Sequence, residues 1–121
     1  MTVDLFLQSN HFANLKRKQA IVLYLLEQLE EKGIQFLVHT TASKYRFVLV
    51  ANEALDRQRN RDFLTIITRR NGLLIWPKYY GVSWNSEEGM NLQKLVYHQD
   101  QMDEEFIESV IKAYVSICKK Q

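Results

Sequence analysis

The sequence predicts an α+β fold, a five-stranded, largely antiparallel meander sheet with an N-terminal and a C-terminal helix packed on one face. Three observations carry this expectation. Apolar residues recur at helical spacing near both ends of the chain. Between them lie five short runs rich in β-branched and aromatic residues. An Asn71-Gly72 pair stands between two of these runs, the strongest short-range signal for a hairpin.

Residues 14–32 read as the first helix, with Leu15, Val22, Leu25, Leu26 and Leu29 on its apolar stripe and Gly33 placed to end it in a left-handed cap. Residues 34–40 and 45–51 read as strands joined by a short turn, and the polar, charged stretch 52–61 as a loop. Residues 63–69 form the third strand. A two-residue type I′ turn at Asn71-Gly72, with positive φ at both positions, leads into 73–76. Pro77 has no N–H for a ladder, so pairing should stop near Trp76 or the strand should lie at an edge. Residues 92–98 make the fifth strand. Asp100 or Asp103 can cap a last helix whose stripe runs Ile107, Val110, Ile111, Tyr114, Cys118. The acids of its first turn suit the helix dipole, as do Lys119 and Lys120 at its end.

A length of 121 residues fits a single domain spanning 1–121, and 46% hydrophobic with 25% charged residues is an ordinary globular balance. The one cysteine, Cys118, rules out an intramolecular disulfide and suits a reducing compartment. The longest apolar run, residues 20–26, is far short of the ~18 residues that cross a bilayer. The first residues lack the basic start and cleavage site of a signal peptide. The expectation is a cytoplasmic protein with no membrane partner.

The net charge of +2 hides an asymmetry. Between residues 57 and 78 the bases are Arg57, Arg59, Arg61, Arg69, Arg70 and Lys78, with Asp62 the one acid; between 87 and 108 acids dominate. Lys16-Arg17-Lys18 is a second basic cluster. If the helix begins at Asn14, these cations oppose its dipole and with the free N–H groups make an anion site. If it begins near Ser9 or Asn10 they lie mid-helix, and this is the preferred reading. No phosphate-binding glycine loop occurs, His11, His39 and His98 are dispersed, and Glu30-Glu31-Lys32 sits at a helix end rather than on a nuclease strand. Ser83, in Gly81-Val82-Ser83-Trp84-Asn85, lacks the closing glycine of a nucleophile elbow. The chain therefore reads as no enzyme, with no catalytic residues, no metal ligands and no cofactor.

The hairpin has two faces. With Arg70 opposite Leu73 and Thr68 opposite Ile75, Leu64, Ile66 and Ile75 form an aliphatic face suited to packing under the helices. The other face carries Phe63, Thr65, Ile67 and Arg69, with Leu74 and Trp76 opposite and Lys78 and Tyr80 beyond. It mixes rings with cations. Three readings compete for it: a second packed layer with bases at its rim, a homodimer seam, and a nucleic-acid surface on which rings stack on bases while Arg and Lys meet phosphates.

Lys44-Tyr45, Phe63-Leu64-Thr65-Ile66-Ile67, Leu73-Leu74-Ile75-Trp76 and Glu108-Ser109-Val110-Ile111-Lys112-Ala113-Tyr114, behind a leading helix, resemble a bacterial domain of unknown function labelled a predicted transport protein and often fused to restriction endonucleases. In outline they are also similar to small double-wing proteins thought to bind DNA. The resemblance covers about residues 20–118; the family's glycine-rich segment is reduced here to Gly81 and Gly89. It implies a non-catalytic accessory domain in DNA transactions or phage defence and transfers no catalytic residue.

The functional expectation is a non-catalytic accessory module that contacts nucleic acid through Arg57, Arg59, Arg61, Phe63, Arg69, Trp76 and Lys78. The alternative is a protein-interaction or homodimerisation module using the same face.

Overall fold

The computed structural model describes residues 1–51 and 62–119. Helices α1 (Val3–Leu7) and α2 (Asn10–Ala13) are followed by a 3₁₀ turn (Lys16–Lys18) and helix α3 (Gln19–Glu31). Strands β1 (Phe36–Thr40), β2 (Arg46–Ala51), β3 (Asp62–Thr68) and β4 (Leu73–Pro77) come next, then α4 (Glu87–Asn91), β5 (Lys94–Val96) and α5 (Glu104–Cys118). The strands pair in chain order, every pair antiparallel, so the sheet is the five-stranded meander expected. Among the described residues no helix is long and apolar enough to cross a membrane.

The ends of the long helices follow their local chemistry. Gly33 takes φ +78°, and the Ile34 and Gly33 amides donate to the Leu29 and Glu30 carbonyls at 3.0 Å, a Schellman cap closing α3. Asp103 Oδ1 accepts the Phe106 amide at 2.9 Å and starts α5, with Glu104 and Glu105 in the first turn. The start of the first long helix differs from expectation. Ser9 does cap a helix, but α2 ends at Ala13, and Lys16 turns the chain at φ 54° before α3 begins at Gln19. No glycine marks that break. Leu15, 2% exposed, anchors it in the core.

The hairpin register is set two residues away from the expected one. Thr68 faces Leu73 and Ile66 faces Ile75, and the Arg69 amide donates to the Gly72 carbonyl at 2.9 Å, so the turn centres on Arg70-Asn71. Neither Asn71 nor Gly72 has positive φ, so this is not a type I′ turn. A slip of two, unlike a slip of one, leaves every side chain on its predicted face. Leu64, Ile66 and Ile75 are accordingly fully buried in the core with the helices. Gly72 serves close approach instead: a Cβ there would stand 2.5 Å from the Val96 carbonyl oxygen of the neighbouring strand. Pro77 pairs with Leu64, two positions past the point where β5 stops at the Ile75–Lys94 pair, so its missing N–H leaves no gap in the sheet.

Phe63 lies on the helix side, which corrects its assignment to the ring-and-cation face. Leu49 faces Leu64 but the next residue, Val50, faces Asp62, so Phe63 is an extra residue on β3. Such a bulge re-aims a side chain. The Phe63 ring is fully buried and meets Tyr114 of α5 at 5.3 Å and Phe36 at 6.4 Å, both edge-on. The same layer includes α1 and α2, which sequence periodicity was too short to reveal. Phe6 is fully buried against Phe47 (4.7 Å between centroids) and Phe12 (5.7 Å).

On the opposite face Trp76 is half-buried. Its indole N–H donates to the Gly89 carbonyl at 2.8 Å, and its ring meets Trp84 edge-on at 6.1 Å. A Cβ on Gly89 would overlap the Ser83 carbonyl, so that glycine lets the 83–89 segment close on itself beside Trp76.

Candidate nucleic-acid interface

The expected surface does not survive as one patch. Arg57, Arg59 and Arg61 lie outside the described residues. Phe63 is inside the core. Trp76 holds the α4 segment. Lys78 donates to Asp62 Oδ2 at 2.8 Å, an ion pair at the far end of β4. Arg69, exposed beside the β3–β4 turn, is six register positions or about 20 Å from Lys78 at 3.3–3.4 Å per strand residue.

Arg69 instead joins a different set of cations. Lys16, Arg17, Lys18, Arg69 and Arg70 line one cavity of about 610 Å³, with Tyr45 at its wall and, among the described residues, no acidic side chain in its lining. Two segments some fifty residues apart in sequence build it. The 3₁₀ turn is held from below by Leu15 in the core and from the side by Gln19 Nε2, which donates to the Phe12 carbonyl at 3.1 Å. Lys18 Nζ donates to the Arg69 carbonyl and ties this turn to the hairpin tip. Tyr45 is placed by the Thr68 amide, which donates to the Tyr45 carbonyl at 2.7 Å, and by His11, whose Nε2 bridges the Thr41 and Ser43 carbonyls at 3.1 and 3.0 Å.

Positive charge is concentrated at this corner. Three cations immediately precede α3, at the positive end of its dipole, with two arginines opposite and no carboxylate among the described cavity-lining residues. Lys16 adds backbone strain: a non-glycine residue in the left-handed region costs of order 1–3 kcal/mol. An anion in the cavity would offset this positive charge.

Sequence reasoning had both basic clusters in hand but not their meeting. The preferred sequence reading, a helix beginning near Ser9 or Asn10, leaves Lys16-Arg17-Lys18 mid-helix; the break at Lys16 puts the cluster just before α3 instead. The surviving signal was the cost of three cations near a helix start, which was visible locally. No protein-family model, curated protein or solved structure matches this chain, and the resemblance to the predicted transport protein domain rests on its sequence motifs alone.

Proposed function

We propose that this chain is a non-catalytic module that binds the phosphate backbone of nucleic acid in the cationic cavity between the Lys16–Lys18 turn and the β3–β4 tip. One observation carries the reading: five cations from two distant segments converge on a single concavity with no carboxylate among the described residues of its lining. Long, exposed Arg and Lys side chains at such a site neutralise phosphates and release counterions, and this is the main source of sequence-independent affinity. The site moves with respect to the sequence expectation, while the ligand class stays the same.

The test is fluorescence anisotropy with a labelled oligonucleotide across a salt series. With all five cations engaged, affinity for a single strand should fall with a log–log slope of roughly −3 to −4, at about −0.7 per phosphate. Replacing Arg17, Arg69 and Arg70 together by Gln should flatten the slope to about −1.5, two contacts remaining, and weaken all sequences alike. All three side chains are exposed, so the melting temperature should hardly move. No binding at low salt, or an unchanged slope, would overturn the proposal.

A second reading, self-association, has its own observation. Ile67, Leu74 and Leu95 lie side by side across β3, β4 and β5 on the face away from the core helices, with Leu95 40% exposed. If this row is a dimer seam, the wild type should sediment as a dimer and Leu95→Lys as a monomer, because a charge buried without a partner is heavily penalised. A wild type that stays monomeric at high concentration removes this reading.

A further inference from the structure

We infer that the bound strand is single-stranded and lies in a groove running from Tyr45 to Tyr97, its phosphates on the cations and its bases on the two tyrosine rings. This rests on the phosphate-binding reading above and adds the form of the nucleic acid and the residues that select it.

The cationic cavity is not isolated. A second cavity of about 520 Å³ shares Arg17 and Lys18 with it and continues past Asn71 to Tyr97 and His98. The two therefore meet at the Lys16–Lys18 turn and the hairpin tip, and an exposed ring stands at each far end. Tyr45 is 49% exposed and Tyr97 54% exposed. Lys44 Nζ lies 5.2 Å from the Tyr45 ring centroid, so ring and cation are presented together there. At the other end the edge of Tyr97 rests beside Gly72, where a Cβ would meet its Cδ1 at 2.9 Å. Tyr45 adjoins β2 and Tyr97 follows β5, and these two strands are three strand spacings or roughly 14 Å apart.

Geometry favours an unpaired strand. A duplex carries its phosphates on the outside of a stiff cylinder and keeps its bases stacked, so they cannot reach rings at the ends of a concave groove. A flexible single strand can lower successive phosphates into the two cavities and splay a base onto each ring, the combination of basic track and stacking platform that binds single strands without reading sequence. The polar hydroxyls account for the exposure of these tyrosines in a monomer, but not for their position at opposite ends of one cationic path.

The experiment compares a labelled oligothymidylate with a hairpin duplex of equal phosphate number on the full chain. The variants are Tyr45→Leu/Tyr97→Leu and Tyr45→Phe/Tyr97→Phe, with thermal melts as a folding control. The single strand should bind wild type tenfold or more tighter than the duplex. The leucine pair should lose tenfold or more in single-strand affinity with the salt slope and duplex affinity unchanged, since stacking adds strength without counterion release. The phenylalanine pair should bind like wild type. Equal affinity for duplex and single strand, or a leucine pair that binds the single strand normally, overturns this inference while leaving a salt-dependent backbone binder intact. Absence of salt-dependent binding to either probe overturns both.

Discussion

Phe63→Ala should cost about 3–5 kcal/mol of folding stability, the range for emptying a fully buried aromatic site. Truncation removes a ring that meets Tyr114 and Phe36, and the bulge that aims it inward limits how far the strand can collapse into the gap. Urea denaturation measures the loss, and the shift in midpoint at constant slope identifies it as stability. The same substitution separates two pictures of the protein. Were Phe63 an exposed stacking platform, its loss would leave stability within about 0.5 kcal/mol and weaken nucleic-acid binding. A core Phe63 gives the reverse: the folded fraction of the variant should bind oligonucleotide with wild-type affinity.

Gly72→Ala should destabilise by about 1–3 kcal/mol, toward the upper end of that overpacking range, because the atom met at 2.5 Å is backbone and cannot swing aside. Either β5 moves off β4, losing the Leu73–Val96 pairing, or the hairpin tip tilts. A comparison with Gly72→Asn tests the cause. At a position needing positive φ, Asn is the best-tolerated replacement. At a position needing space it is worse than Ala. The order of stability should be Gly, then Ala, then Asn, read from thermal melts of the three proteins. Asn equal to or better than Ala would return the turn to the left-handed geometry that the Asn71-Gly72 pair suggests.

The candidate site was legible in parts. Arg69 was named from sequence and lies in the cationic cavity. The sequence offers two helix starts for Lys16-Arg17-Lys18, at Asn14 or, preferred, near Ser9 or Asn10; the observed helix starts at Gln19, so the three cations precede it. Trp76 lies on β4 and Lys78 just past its end, and the chemistry of both is spent within the chain, on the Gly89 carbonyl and the Asp62 carboxylate. Nothing local distinguishes a ring offered to a ligand from one that holds a neighbouring segment. Tyr45 and Tyr97 fall inside the predicted strands 45–51 and 92–98, whereas β2 starts at Arg46 and β5 ends at Val96, so both rings stand just outside the sheet ladder.

What the chain determined by itself was whatever depends on neighbours in sequence. Period-two alternation put Leu64, Ile66 and Ile75 on the helix face, and a register slip of two could not disturb it. Gly33 and Asp103 terminate and begin helices through hydrogen bonds that span only a few residues. Tertiary structure decided the rest. One extra residue opposite Val50 turned Phe63 from surface to core, the approach of β5 rather than the φ of a turn made Gly72 necessary, and the packing of Leu15 brought Lys16–Lys18 against Arg69 and Arg70. Each depends on which distant backbone comes within a few ångströms, and a local pattern of residue types does not encode that distance.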